Sequence, residues 1–410
     1  MDLTGQYAPT PERERLSSLD LIRGVALLGI LIVNIQAFAM PAAALANPSA
    51  YGNLDGANFA AWAASHLLAE QKFLTIFSLL FGAGVLLSAS RAEAAGTSSA
   101  SLHRRRMIWL ILFGMAHAYL LWYGDILFLY GIVGLAAYPL HKRSPPALLS
   151  IGFVLLSIPS LLTLAMGYSM PYWDAPSLEI FRSEWRPDEA AIAAEVDAYT
   201  RGWSEQLRAR VPQALYLQTV VAFLWSFWRV LGLMLIGMAL TKLGVFAANH
   251  KPEFCGRVIA VGLPISYVLI GWGILRNSQA AWSADYSPFF GSQYNYWGST
   301  IVALAYLCIL VFLDRGTRSG RIRRAVSAVG RTALSNYLFQ SLLCTAIFYG
   351  HGLGWFGEVS RTGQLLVVMG VWSIQLAVSP WWLAHFRYGP AEWLWRSLTY
   401  GVPQPLRRPV

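Results

Sequence analysis

Residues 21–38 read LIRGVALLGILIVNIQAF, an apolar run with a single charged residue, Arg23. A helix needs about 17–25 apolar residues to cross the hydrocarbon core of a bilayer. The core offers the backbone no water, so only helices and closed barrels can span it. The polar residues 12–15 precede the run, and no small-residue cleavage site follows it. We therefore interpret the run as an uncleaved first transmembrane helix and not as a signal peptide.

Nine further apolar windows recur along the 410-residue chain. Of all residues, 56% are hydrophobic and only 13% are charged, against about 25% charged in soluble domains. We predict an all-α polytopic transmembrane helical bundle of about ten spans. The sequence leaves open whether the apolar stretch 58–71 prolongs the second span or lies as a helix at the outer surface. The ten windows are residues 19–38, 71–88, 107–123, 126–140, 147–168, 215–240, 258–275, 296–313, 333–350 and 363–384.

The formal net charge of +10 has two explanations, nucleic-acid binding or an excess of Lys and Arg in cytoplasmic loops. If the N-terminus is cytoplasmic, 21 of the 31 Lys and Arg residues fall in cytoplasmic segments and seven in outer segments. The charge is therefore a topology signal, and it predicts that both termini are cytoplasmic. We expect a multi-pass protein of a bacterial inner membrane, with membrane lipid as a partner and no nucleic acid. The sequence leaves open whether the protein forms a homo-oligomer.

The chain is predicted to form one transmembrane domain, residues 1–385, with a long acidic extracytoplasmic loop at about residues 169–214. In this loop Pro187, Asp188 and Glu189 are typical of a helix start, because acids in a first turn oppose the positive end of the helix dipole. Residues 386–410 are predicted to form a cytoplasmic interfacial segment. Its tryptophans suit anchoring at the headgroup level better than ligand binding.

The spacing of cysteine and histidine favours neither a disulfide nor a metal site. The three cysteines, Cys255, Cys308 and Cys344, form no disulfide framework and no zinc pattern. His66 and Glu70 lie four residues apart on one predicted helix face, which is typical of a surface pair. Two such residues do not make a zinc site, so we predict no metal.

The first span carries polar residues along one stripe. Asp20 and Arg23 are three residues apart, so we predict an ion pair on one helix face. Asn34 lies about 20° from Arg23 around the axis and roughly 16 Å further along the helix. Arg23 can reach cytoplasmic headgroups while Asn34 ties two helices together. Alternatively both face the bundle interior and serve a substrate, because polar groups at depth are costly.

The third span contains His117, about ten residues into an apolar helix and so near mid-membrane. A buried neutral imidazole can accept a proton, as a general base must, although a hydrogen bond across the bundle is the alternative. Asp125 follows Gly124 and suits capping of the fourth span. On one continuous helix His117 and Asp125 would be about 12 Å apart. A pair between them therefore requires a helix break or a bridging group.

Other spans carry polar residues whose role the sequence leaves open. Lys72 opens the second span at the outer side, where a cation either snorkels or binds an anion. Asn336 and Gln340 lie one turn apart, where they either form interhelical hydrogen bonds or line a polar site. Arg229 likewise either forms interhelical hydrogen bonds or lines a polar site. The candidate substrate-binding residues are Arg23, Lys72, Arg229, Arg331, Asn336 and Gln340.

Taken together, these motifs resemble the YeiB family, whose domain is known as domain of unknown function 418. The resemblance covers almost the whole chain. It rests on Leu19-Asp20-x-x-Arg23-Gly24 with Val33-Asn34, Lys72-Phe73 with Phe77-Ser78-Leu79-Leu80-Phe81-Gly82-Ala83-Gly84, Gly124-Asp125-Ile126-Leu127, Gly330-Arg331-x-Ala333-Leu334-x-Asn336-Tyr337 and Gly389-Pro390-x-Glu392-Trp393-Leu394-Trp395-Arg396.

The resemblance implies membrane acyl transfer, because that family is grouped with integral membrane acyltransferases such as heparan-α-glucosaminide N-acetyltransferase. Those proteins move an acyl group from a cytoplasmic acyl-CoA to an acceptor across the membrane. This sequence lacks a clear equivalent of their catalytic histidine after the first span, so we expect His117 to replace it.

We therefore expect transfer from acyl-CoA or acetyl-CoA to an envelope glycan, lipid or small molecule. His117 would act as the base, and Asn34 and Asn336 would donate hydrogen bonds to the oxyanion. Lys72 and Asp125 would shape the outer mouth of the site. A transporter or channel for a small polar or lipidic solute is the alternative.

Overall fold

The computed structural model describes residues 17–246, 252–315 and 320–408. The polar residues 12–15 lie outside this part of the chain. Within it the chain is helical, with no strand apart from one isolated bridge between Phe386 and Arg407. The helices are α1 Ser17–Ala39, α2 Ala43–Ala46, α3 Gly56–Leu68, α4 Lys72–Ala94, α5 Ser99–Leu120, α6 Leu127–Ala137, α7 Pro145–Ser169, α8 Ala175–Trp185, α9 Glu189–Thr200, α10 Trp203–Tyr216, α11 Phe227–Lys242, α12 Pro252–Arg257, α13 Leu263–Gln279, α14 Ser292–Arg315, α15 Arg321–Arg331, α16 Ala333–Phe348, α17 Arg361–His385 and α18 Pro390–Tyr400.

Each of the ten predicted windows coincides with a helix, so the prediction of an all-α polytopic bundle is confirmed. Two windows fall on shorter apolar helices, Leu127–Leu140 and Ala333–Phe348, and one falls on α5. In the described part of the chain, seven helical segments are long and apolar enough to cross a membrane: Ser18–Ala39, Gly56–Ala94, Pro145–Tyr172, Trp203–Lys242, Pro252–Gln279, Ser287–Asp314 and Arg361–His385.

The stretch 58–71 forms a helix of its own and does not simply prolong the second span. Helix α3 ends at Leu68, and Gln71 adopts a left-handed backbone conformation with φ of 65° just before α4 begins. This turn breaks the helix because a left-handed residue cannot continue a right-handed helix. The break leaves α3 packed against α13 and α17.

The predicted helix start in the acidic loop is confirmed. Asp188 is the N-cap of α9, and its carboxylate accepts a 2.8 Å hydrogen bond from the backbone N–H of Ala191. The loop also contains α8 and the first part of α10, so it is helical through most of its length. Helix α10 continues through π-helical residues Leu217–Ser226 into α11. The end of the loop is therefore continuous with the helical segment Trp203–Lys242, which is long enough to cross a membrane.

Helix α1 connects the two ends of the bundle. It begins near Arg23, beside α15, and ends at Ala39, close to the loop helices, where Ala42 N donates to Glu195 of α9. We call the end that carries Arg23 and α15 the basic end, and the end that carries α8–α10 the acidic end. The core between them is built mainly where α4, α7 and α11 pack together.

Cys255 and Cys308 form a disulfide that joins α12 to α14, whereas Cys344 is a buried free thiol. The expectation that the cysteines form no disulfide was therefore wrong for this pair. The two residues are 53 positions apart, and only the packing of α12 on α14 brings them together.

Candidate functional site

Three polar side chains from distant parts of the sequence form one buried hydrogen-bonded chain. His117 Nδ1 lies 2.8 Å from an Asp125 carboxylate oxygen, and His117 Nε2 lies 2.8 Å from the Ser341 hydroxyl. The side chains of His117 and Asp125 are each 1% exposed. Ser341 is also 1% exposed. We call Asp125, His117 and Ser341 the triad.

A break between two helices creates the His117–Asp125 contact. Helix α5 ends at Leu120 and α6 starts only at Leu127, so the chain turns back and Asp125 approaches His117. His117 consequently lies in the last turn of α5 and not near the middle of a longer span, as the sequence had suggested. The break that a pair between these residues requires is thus present.

Asp125 also bonds to the first turn of the next helix, although the N-cap residue of that helix is Ile126 and not Asp125. Its second carboxylate oxygen accepts a 2.8 Å hydrogen bond from the backbone N–H of Phe128 in the first turn of α6. One carboxylate therefore holds both the start of α6 and the imidazole of His117. Asp125 therefore bonds both to the first turn of α6 and to His117.

The close approach of α5 and α6 depends on Gly114. A Cβ at this position would lie 2.1 Å from the backbone nitrogen of Phe128 and 2.7 Å from the Asp125 carboxylate. Real Cβ atoms essentially never come this close to another heavy atom. Gly114 is one turn before His117, so it fixes the position of Asp125 relative to the imidazole.

The hydrogen-bond partners determine the direction of the bonds in the triad. In the imidazole tautomer that fits both contacts, Nδ1–H donates to the Asp125 carboxylate, which can only accept. Nε2 then accepts the hydrogen bond from the Ser341 hydroxyl. This is the arrangement in which an imidazole can take a proton from a hydroxyl group.

An inner cavity lies at the basic end and is lined by arginines. Its main chamber has a volume of about 250 Å³, and an adjoining chamber has about 220 Å³. Arg23 and Arg331, both predicted as substrate-binding residues, line both chambers. The side chains that line at least one chamber include five arginines: Arg23, Arg91, Arg106, Arg331 and Arg396. The sequence analysis did not identify Arg91 and Arg106 as binding residues, because it used their charges only to predict the membrane topology.

Helix α18 forms one wall of this inner cavity. Trp395 lines the cavity, its indole N–H donates to Arg106 O, and the Arg106 guanidinium lies 4.6 Å above its ring. Trp395 therefore lines a cavity, and anchoring of the α18 tryptophans at the headgroup level stays a prediction. Glu392 accepts hydrogen bonds from the backbone of Leu334 and Ser335 and fixes α18 against α16. Burial raises the pKa of Glu392, although these hydrogen bonds oppose the shift.

An outer cavity of about 320 Å³ lies towards the acidic end. Asn34 and Asp125 line it, as does the π-helical segment that joins α10 to α11. Two buried polar atoms of its lining residues, Gln71 Oε1 and Gln218 Nε2, have no hydrogen-bond partner within the described residues. Such atoms are costly unless a ligand satisfies them.

The inner and outer cavities meet at the same three residues. Ile30, Ile126 and Tyr337 line both of them, so the two cavities adjoin at these side chains. The Tyr337 ring lies 5.1 Å from the His117 ring, and its hydroxyl donates to Gly124 O. The triad is therefore beside the junction. Of its members Asp125 lines the outer cavity, whereas His117 and Ser341 line neither cavity.

The predicted pair of Asp20 and Arg23 is present. Arg23 donates to Asp20 over 3.0 Å, and Arg23 lines the inner cavity. A role of Arg23 in substrate binding stays a prediction. Asn34, further along the same stripe, lines the outer cavity.

Asn336 and Gln340 form interhelical hydrogen bonds. The amide nitrogen of Asn336 donates to Ser379 on α17, and that of Gln340 donates to Gln375 on the same helix. Gln375 in turn donates to Asn336. Neither Asn336 nor Gln340 is among the residues that line the inner or outer cavity. Their contacts match the structural alternative, and an oxyanion role for Asn336 stays a prediction.

Lys72 and Arg229 are both 0% exposed, so neither snorkels to the membrane surface. Lys72 donates to His66 O and to Asn295, each over 2.6 Å. Arg229 donates to Ser299 and lies over the Tyr296 ring. These contacts tie α4 and α11 to α14. Neither cation lines the inner or outer cavity, and their role in substrate binding stays a prediction.

His66 and Glu70 form the expected pair, 2.6 Å apart. Among the residues that the structure describes, no group of three or more His, Cys, Asp or Glu side chains could hold a metal ion. Ser341 is the residue of the triad that sequence reasoning missed. Its spacing of five from Asn336 gave no signal, because its role depends on a contact 224 residues away in sequence.

Comparison with known proteins places the chain among related sequences over nearly its whole length. Residues 240–402 match a family model described as a protein of unknown function, DUF418. The chain is 32% identical over 400 residues to the uncharacterized protein YeiB of Escherichia coli strain K12, covering 96% of this chain and 98% of the relative. It is 31% identical over 425 residues to the uncharacterized protein YxaH of Bacillus subtilis strain 168, covering 98% of each.

Proposed function

This chain belongs to the YeiB family (DUF418), and from that premise we propose that it transfers an acyl group from acyl-CoA to a hydroxyl or amine acceptor across a bacterial inner membrane. The observation that carries the proposal is the meeting of two cavities at Tyr337, beside the hydrogen-bonded pair of His117 and Asp125. Two substrates that approach from opposite sides can meet at such a point.

The charge of the inner cavity supports a phosphorylated donor. Coenzyme A carries a diphosphate and a further phosphate, and arginine binds phosphate through two parallel N–H bonds. Arg23, Arg106 and Arg331 line the cavity, while only Asp20 and Glu392 bring acidic groups to its two chambers. In the proposed orientation the basic end faces the cytoplasm, where acyl-CoA is found. The thioester would then point towards Tyr337.

The mixed character of the outer cavity supports an acceptor with both apolar and polar parts. Its wall is largely aliphatic, and the unpartnered Gln71 Oε1 and Gln218 Nε2 provide one acceptor and one donor. A sugar hydroxyl or an amine on an envelope molecule would satisfy both atoms. The pair of His117 and Asp125 would take up the proton that the reaction releases, as a general base does.

Two opposed cavities are also the geometry of a transporter, so that alternative must be separated by experiment. A transporter for an unrelated solute has no reason to prefer a phosphorylated nucleotide thioester at its basic end. It also has no need for an imidazole that accepts a hydrogen bond from a serine hydroxyl. We therefore favour acyl transfer.

The test is binding of coenzyme A to the full-length protein in lipid nanodiscs, measured by calorimetry against pantetheine, which lacks the nucleotide and its phosphates. Coenzyme A should bind at least about tenfold more tightly, since one charge-assisted hydrogen bond contributes about 1.5–3 kcal/mol. Arg331→Ala should weaken binding by a similar factor. Arg182→Ala is the matched control, because Arg182 pairs with Asp285 on an exposed surface. Equal affinity for coenzyme A and pantetheine would reject the proposal.

A further inference from the structure

We propose that Ser341 is the nucleophile of the reaction and carries the acyl group between the two substrates as a covalent ester. This inference rests on the proposed acyl transfer and adds an intermediate to it. The hydroxyl of Ser341 is 2.8 Å from His117 Nε2, and the opposite ring nitrogen is 2.8 Å from Asp125. Serine, imidazole and carboxylate in this order form the arrangement that activates a serine for attack on an acyl carbon.

The hydrogen bond of Ser341 differs from those of several helical serines that bond to their own helix. A serine inside a helix commonly donates to the carbonyl four residues earlier. Ser65, Ser78 and Ser373 do so over 2.8–2.9 Å. Ser341 lies 3.4 Å from the equivalent carbonyl, that of Tyr337, and 2.8 Å from the imidazole. Its hydroxyl is therefore directed to His117 in preference to its own helix.

The position of Ser341 suits a group that must serve both cavities. It lies one helical turn after Tyr337, the residue that lines the inner and the outer cavity. Because Ser341 is only 1% exposed, neighbouring side chains must move before a substrate can reach it. This burial also keeps bulk water from the ester, which prevents wasteful hydrolysis before the acceptor arrives.

The reaction balances in two steps. In the first, Ser341 Oγ attacks the thioester carbon and His117 Nε2 takes the hydroxyl proton. The carbon–sulfur bond then breaks, and the sulfur leaves with that proton as the thiol of coenzyme A. In the second, the acceptor hydroxyl or amine attacks the ester carbon and passes its proton through Nε2 to Ser341 Oγ as the ester bond breaks. Neither step needs an oxidant or reductant.

The experiment is to incubate the full-length protein in nanodiscs with radiolabelled acetyl-CoA or palmitoyl-CoA, without an acceptor, and to map any adduct by peptide mass spectrometry. We expect an ester on Ser341 approaching one per chain, with an equal release of coenzyme A. Ser341→Ala should abolish the adduct. Ser341→Cys keeps the size of the side chain and should give a thioester that neutral hydroxylamine removes. Ser373→Ala is the control, since Ser373 is exposed and bonds to its own helix.

The outcomes separate the two proposals. If acyl-CoA is consumed and an acceptor is acylated at the wild-type rate by Ser341→Ala, or if no adduct forms on Ser341 during turnover, then the serine merely ties α16 to α5. Acyl transfer would then proceed directly between the substrates. If neither donor is bound or consumed by the wild-type protein, the proposed acyl transfer itself fails, and the covalent intermediate fails with it.

Discussion

Replacing Gly114 with alanine tests whether the packing of α5 against α6 creates the site. The new methyl group would lie 2.1 Å from the backbone nitrogen of Phe128, where contacts below 3.0 Å essentially never occur. The first turn of α6 must therefore move by about 1 Å, because the obstacle is backbone and not a flexible side chain. Asp125 is part of this turn through its 2.8 Å bond to Phe128, so it moves as well.

The expected loss follows from these contacts. Overpacking in a close-packed core costs about 1–3 kcal/mol, and the disturbed hydrogen bonds of the Asp125 carboxylate add to that cost. A catalytic group misplaced by about 1 Å can lose about 10²-fold in rate. We therefore expect Gly114→Ala to lower both the thermal stability of the solubilised protein and the release of coenzyme A from acyl-CoA.

A matched control is available on another membrane helix. A Cβ added at Gly370 of α17 would meet no atom within 4 Å. Gly370→Ala should therefore leave activity unchanged and stabilise the protein slightly, by up to about 1 kcal/mol, because alanine favours the helix. The assays are thermal unfolding followed by tryptophan fluorescence and thiol release followed by absorbance. If Gly114→Ala and Gly370→Ala gave the same thermal stability and the same rate of thiol release, the argument that Gly114 positions Asp125 would be refuted.

Four further outcomes are expected. His117→Ala should keep the fold and lower acyl transfer by roughly 10² to 10⁴, whereas the exposed His385→Ala should have no effect in the same assay. Arg23→Ala should weaken coenzyme A binding more than His385→Ala does, and equal affinities would remove Arg23 from the donor site. Asn336→Leu should lower the free energy of unfolding by about 1–3 kcal/mol, because Gln375 and Ser379 lose a buried hydrogen-bond partner. An unchanged midpoint of thermal unfolding would contradict this prediction. A reporter fused at the C-terminus should read cytoplasmic and one within residues 184–205 external, since the positive charge excludes the opposite orientation.

The sequence alone determined the architecture of this protein. The length and spacing of the apolar windows predict membrane helices, because a bilayer imposes a fixed thickness and allows almost no other backbone structure. The pair of Asp20 and Arg23 and the capping by Asp188 were also predictable, since both depend on contacts within one or two turns of a helix.

Only the tertiary structure decided the composition of the site. His117 was a candidate from its chemistry, but its partner Ser341 lies 224 residues away, and its contact with Asp125 exists only because α5 ends at Leu120. In the same way, Asn336 turned out to bond to α17, and the α18 tryptophan Trp395 lines the inner cavity. The physical reason is the distance along the sequence over which each interaction acts. Hydrophobic periodicity and helix capping act over a few residues, whereas a buried polar contact between helices depends on how distant segments pack, which no local pattern records.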